Sequence, residues 1–141
     1  MLDTQRFLKA QDDYYEPALR EMKNGRKQSH WIWFIFPQLK ALGRSPTARY
    51  YGIESLEDAR AYLEEPTLRS RLLEITGVIL AHKESDPIRL MGQPIDALKL
   101  RSSMTLFGKA APQETLFGLV LEKYFDSTPD RHTLSLLASE E

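Results

Sequence analysis

Six consecutive apolar residues, Trp31 to Phe36, hold both tryptophans of this 141-residue chain and two of its six phenylalanines. Leaving such side chains in water would forfeit roughly 1.5–3 kcal/mol each, so the run must be covered nearly all round by other elements. A polar, basic approach, Gly25-Arg26-Lys27-Gln28-Ser29-His30, leads into it, and Pro37-Gln38 ends it. His30 and Gln38 sit at its two edges and need hydrogen-bond partners if they are drawn inward. The stretch from Gly25 to Leu39 therefore reads as a core element with a polar rim, suited to form a pocket wall. Trp33 and Phe36 are expected in the core.

Periodicity alone cannot separate helix from strand in so short a run. A buried strand needs a neighbour, and the chain offers one weak candidate, Arg49-Tyr50-Tyr51-Gly52-Ile53. Ser29 is placed to cap a helix, and Pro37 steers Phe36 out of the α region. A short helix is expected. Elsewhere helix starts recur. Thr4 caps a first helix ending near Tyr14, and Glu16-Pro17 restarts one that stops at Asn24-Gly25. Ser45-Pro46, Ser55 with Asp58, Pro66, Asp86-Pro87, Pro94 and Asp130 open further helices, and another runs from about Pro112 to Phe125. The pattern predicts an all-α fold: a single domain over residues 1–141, built as a compact bundle of about seven to nine short helices with few or no strands. Well over half of its residues should be helical.

Composition narrows the chemistry. There are no cysteines, which removes disulfides, a thiol nucleophile and thiolate zinc sites. Nineteen Lys and Arg against 20 Asp and Glu give a net charge of −1, so nucleic acid is not the expected partner. The longest apolar run is far shorter than a membrane span, and the N-terminus lacks the apolar segment of a signal peptide. A cytoplasmic location without membrane association is expected. His30, His82 and His132 show no metal-ligand spacing, and the seven glycines form no phosphate-cradling loop, so neither metal nor cofactor is expected. His82 and His132 read as surface residues.

The second informative element begins at Pro94. Ala97, Leu100, Met104 and Phe107 make one apolar stripe of a helix, and Asp96, Lys99 and Ser103 share the opposite face. Lys99 and Ser102 stand at i and i+3, so a lysine-activated serine is geometrically allowed. The plainer alternative is an Asp96–Lys99 surface ion pair. Burying the aromatic run against this helix would bring His30, Gln38, Lys99 and Ser102 to one concave site, with Arg26 or Lys27 at its rim and Trp31 or Trp33 free to stack on a ring. Basic groups beside a helix start favour an anion. The expected function is binding of a small anionic or nucleotide-like ligand, with its processing left open. The alternative is a protein-interaction module without chemistry, docking through the aromatic edge and Tyr50-Tyr51.

Several blocks together resemble a known family. They are Arg6-Phe7-Leu8-x-Ala10-Gln11, Gly25-Arg-Lys-x-Ser29-His-Trp-x-Trp-Phe-Ile-Phe-Pro-Gln38, Ala61-Tyr62-Leu63, Asp96-x-x-Lys99-Leu-x-Ser102-Ser-Met-Thr-Leu-Phe107 and Asp130-x-x-Thr133-Leu. They resemble the bacterial family called domain of unknown function 1810, over nearly the whole chain. A "calpastatin" label sometimes attached to such sequences does not suit this globular composition, since calpastatin is disordered. The resemblance implies a small all-α cytosolic protein and carries over no catalytic residue.

Overall fold

The computed structural model describes residues 2–140. Nine α-helices follow one another: α1 (Gln5–Lys23), α2 (Ile32–Ile35), α3 (Pro46–Tyr50), α4 (Leu56–Glu64), α5 (Pro66–Ala81), α6 (Pro87–Met91), α7 (Pro94–Ala110), α8 (Leu116–Phe125) and α9 (Arg131–Ala138). A 3₁₀ turn, Lys40–Leu42, lies between α2 and α3. Helix accounts for 69% of the described residues, which bears out the all-α expectation. Among the described residues there is no sheet. The weak strand candidate survives only as one parallel bridge, Leu39 to Ile53, because Arg49 and Tyr50 belong to α3.

Local signals set most helix starts. Ser45, Ser55, Asp86 and Asp130 each accept a backbone N–H of the first turn they open, and Pro occupies the first turn of α3, α5, α6 and α7. Three expectations need correction. The break at Glu16-Pro17 does not occur, since α1 runs straight through Pro17. Proline there removes the donor that Asp13 C=O would have accepted. Asp13 is exposed and water can serve that carbonyl, while Phe7, Gln11, Tyr15, Ala18, Leu19 and Met22 keep one buried face across the break. Second, α8 begins at Leu116, because Ala111 to Glu114 closes as a turn instead. Third, Ser29 does not cap α2. Trp31 holds the cap position, and the Ser29 hydroxyl is bound elsewhere.

That binding partner is Glu21. One carboxylate on the last turns of α1 accepts Gln28 N–H at 2.7 Å, Ser29 N–H at 2.9 Å, Ser29 Oγ at 2.5 Å and Trp31 Nε1 at 2.9 Å. It gathers the approach loop and aims Trp31 into the core. Burial alone would raise the Glu21 pKa, but these four hydrogen bonds outweigh it and hold the carboxyl below its usual value. A depressed folded-state pKa means stability that is present above the unfolded value and lost as pH falls through the folded one. Glu21→Gln is therefore expected to cost about 1–3 kcal/mol at neutral pH. The gap to wild type in denaturant midpoint should close on acidification below the normal carboxylate range.

The loop also depends on Gly25, which adopts φ +77°. A Cβ there would collide with the imidazole of His82. His82 is thus half-buried against this turn, where its Nδ1 accepts Glu84 N–H at 2.9 Å, and is not the plain surface residue expected. Gly25→Ala combines left-handed backbone strain of about 1–2 kcal/mol with that clash. It should lower the thermal midpoint by several degrees, measurable by circular dichroism.

The centre of the molecule is α7, packed against α2, α4, α6, α8 and α9. With neighbours on so many sides its polar face cannot remain outside. Asp96 and Ser103 are buried, against expectation, together with Ser102 and Thr105. The hydroxyls of Ser102 and Thr105 turn back to the carbonyls of Leu98 and Arg101, at 3.1 and 2.8 Å, a common way to hide a hydroxyl in a helix. An aromatic chain crosses the core from α1 to α8 through Phe7, Tyr62, Phe107 and Phe117, with ring centroids 5.2, 5.2 and 5.9 Å apart. On its flank Gln11 Nε2 donates to Phe34 C=O at 2.7 Å and to Tyr62 Oη at 3.0 Å, so the short α2 leaves no orphan carbonyl there. The C-terminal carbonyls of α5 are held by the Lys123 ammonium and by Tyr124 Oη, which donates to Ile79 C=O at 2.6 Å.

Candidate functional site

The first two turns of α7 form one wall of a cleft of about 390 Å³. The opposite wall is the chain from Gln38 to Ala48, and the start of α9 closes one end with Asp130 and His132. Three features hold that second wall in place. Lys40 N–H donates to Ile53 C=O at 2.8 Å and Ile53 N–H to Gln38 C=O at 2.9 Å. Gly52 lets the two strands of chain approach so closely that a Cβ would overlap Lys40. From the other side Arg6 Nη2 donates to Gly52 C=O at 3.1 Å.

Of the residues singled out in the sequence, Gln38, Lys99 and Ser102 do meet here. Trp33 lies behind Lys99, whose ammonium stands 5.5 Å from the indole centroid. It is half-buried, so its assignment to the full core is corrected. The other three go elsewhere. Arg26 is exposed in a separate hollow with Glu84 and Arg89. His30 is exposed and lines none of the cleft. Lys27 is buried, its ammonium 2.8 Å from Asp96 Oδ2 and 5.1 Å from the Trp31 ring centroid. It is a structural charge and not a rim cation, and Asp96 pairs with it instead of with Lys99.

The cleft has a distinct chemical balance. Leu42, Ala48, Ile95 and Leu98 supply an apolar lining, and Ile95 and Leu98 are each 56% exposed, far more than side chains of that size usually are. Arg44 and Lys99 bring two cations, neither of which joins an ion pair among the described residues. Asp130 is already committed: its Oδ2 accepts Ser102 Oγ at 3.2 Å, Thr133 N–H at 3.0 Å and Thr133 Oγ1 at 2.5 Å. Its own N–H donates to Thr105 Oγ1 at 2.9 Å, so it pins α9 to α7.

Those contacts decide the serine question. The single Ser102 proton is shared between Leu98 C=O and Asp130 Oδ2, and neither Lys99 nor His132 hydrogen-bonds the hydroxyl. Ser102 shares the cleft with Asp130 and His132, yet its hydroxyl makes no hydrogen bond to the imidazole or amine base that usually activates a serine. Arg44, Asp130, His132, Ile95 and Leu98 went unrecognised in the sequence. Asp130 left a signal there as the residue that opens α9, and Leu98 as an apolar residue beside the α7 stripe.

Comparison with known proteins places this fold. The family model described as "Protein of unknown function (DUF1810)" matches residues 1–137. The chain belongs to that family. A solved structure, that of the conserved hypothetical protein Rv1873 from Mycobacterium tuberculosis, is 46% identical, with 96% of each chain covered and a TM-score of 0.93. A search of curated proteins finds no match. Among the described residues no DUF1810 helix is long and apolar enough to cross a membrane, and no group of three or more His, Asp or Glu is placed to hold a metal ion.

Proposed function

We propose that this protein binds a small anion in the cleft between α7 and the Gln38–Ala48 segment. The observation that carries the reading is a pair of cations at one concave site, Arg44 and Lys99, that join no ion pair among the described residues. A lysine and an arginine lacking carboxylate partners raise the local positive potential, and low-dielectric walls concentrate it. The Trp33 ring fixes the Lys99 ammonium at the cost of less side-chain entropy than a free lysine would lose on binding. Among the described residues no Phe, Tyr or Trp ring lines the cleft, which favours a non-nucleotide anion over a base stacked on a large ring. The test is a titration of the full chain with acetate and inorganic phosphate, followed by ¹H–¹⁵N NMR. Shifts confined to Gln38–Ala48 and the first turns of α7, reached only at higher anion concentration in Lys99→Gln, are expected. Shifts confined to the Arg26–Arg89 hollow, or none, would overturn the assignment.

A second reading, a protein-interaction module, rests on a different observation. Tyr14 and Tyr50 are 45% and 61% exposed. They continue an aromatic line through Phe34 and Tyr51 with centroids 5.6, 5.1 and 4.8 Å apart. That surface suits a peptide or protein partner, and Tyr50→Ser with Tyr14→Ser would abolish such binding while leaving anion shifts intact.

A further inference from the structure

We infer that the anion is an amphipathic monoacid: one carboxylate-like charge on an aliphatic body of modest length. This rests on the anion-binding reading above and names its ligand class. Three observations lead to it. The first is charge. Arg44 and Lys99 against Asp130 leave one net positive charge, two minus one, at the cleft. A single negative charge neutralises that, whereas a dianion would meet the Asp130 carboxylate as a like charge, and like charges brought close in a partly dry site repel.

The second is the apolar wall. Ile95 and Leu98 lie one helical turn apart on α7 and face the cleft beside Leu42 and Ala48. Both α7 side chains are more than half exposed. A fully polar ligand would leave that surface wet, while an alkyl chain laid along it removes apolar area on both sides from water. The third is size. At the roughly 30 Å³ that a liquid water occupies, a cleft of about 390 Å³ takes about a dozen non-hydrogen atoms. That is a carboxyl group with a medium chain, and it falls in the lower range of small-molecule sites.

The geometry gives each end of the ligand separate residues, so the two can be tested separately. A homologous series of acetate, butyrate, hexanoate, octanoate, decanoate and dodecanoate is titrated into the full chain at fixed ionic strength, with hexylamine and 1-hexanol as controls, and cleft amides are followed by NMR. The expected result is a dissociation constant that falls about two- to fourfold per added CH₂, the upper figure being the value of one fully buried methylene, then levels off once the chain outgrows the cleft. Hexanol should bind more weakly than hexanoate, and hexylamine should leave the cleft amides unshifted. In Lys99→Gln every acid should weaken by a similar factor with the chain-length slope intact. In Leu98→Ser, a change at an exposed position of the apolar wall, the chain-length slope should flatten. If acetate and octanoate shift the cleft with equal affinity, the amphipathic class is overturned and simple anion binding stands. If no acid shifts the cleft, or if hexylamine binds as tightly as hexanoate, both readings fall.

Discussion

Asp96→Ala is expected to lower stability by about 3–5 kcal/mol, because it strands the Lys27 ammonium in the interior. Lys27 and Asp96 side chains are only 6% and 3% exposed, and their charges stand 2.8 Å apart. The approach is off the hydrogen-bonding direction at Oδ2, so the contact is mainly one charge against another. Lys27 cannot simply swing into water. Its N–H donates to Leu90 C=O at 2.8 Å, and its side chain runs beside the Trp31 ring. Lys27→Met should cost a comparable amount by leaving the carboxylate alone. The double substitution Lys27→Met with Asp96→Leu removes both charges and should recover most of the loss. Urea midpoints of the four proteins check this. A single Asp96→Ala costing under about 1 kcal/mol would show that Lys27 escapes to solvent and that the approach loop is looser than described.

That ion pair also shows where sequence reading stops. Ser45, Ser55, Asp86 and Asp130 could be recognised as caps because each binds a backbone N–H within three residues of itself. Gly25 and Gly92 were legible as helix ends, since both adopt positive φ, which glycine tolerates without a Cβ. Lys27 and Asp96 are 69 residues apart in number, 96 − 27, and nothing local marks either as buried. The same holds for Pro17, where the helical break expected from the donor count lost to a continuous buried face. The site follows this rule too. Lys99 and Ser102 could be placed together from helical spacing alone, and Gln38 from its position at the end of the aromatic run. Arg44 and His132 reach the cleft only through the Leu39–Ile53 bridge and the Asp130 contacts to α7. Those are tertiary features that a one-dimensional pattern does not carry. His30 and Arg26 were expected at the site because they adjoin the aromatic run in sequence. Glu21, however, gathers the approach to that run at Gln28, Ser29 and Trp31, and His30 is left exposed.

Trp31→Ala is expected to cost about 3–5 kcal/mol and to be the most damaging single change in the aromatic block. The Trp31 side chain is fully buried and its ring lies 6.2 Å from that of Phe36. Its Nε1 donates to Glu21, so truncation opens a cavity and also removes one of the four donors that organise the loop. Trp33, which the sequence placed in the core, should behave differently. Trp31 precedes α2 as its cap residue, whereas Trp33 lies within the helix and, unlike Ile32, Phe34 and Ile35, is not buried. An all-apolar run gives no hint of which of the two faces in. Trp33 is only half-buried and carries Lys99 over its ring, and its Nε1 is enclosed without a hydrogen-bond partner. Trp33→Phe therefore surrenders no hydrogen bond and should change stability by less than about 1 kcal/mol. Trp33→Ala should lie well short of Trp31→Ala while weakening anion binding through Lys99. Denaturant midpoints for the three variants decide the matter: a Trp33→Ala loss equal to that of Trp31→Ala would place both rings in the core and leave Lys99 without its platform.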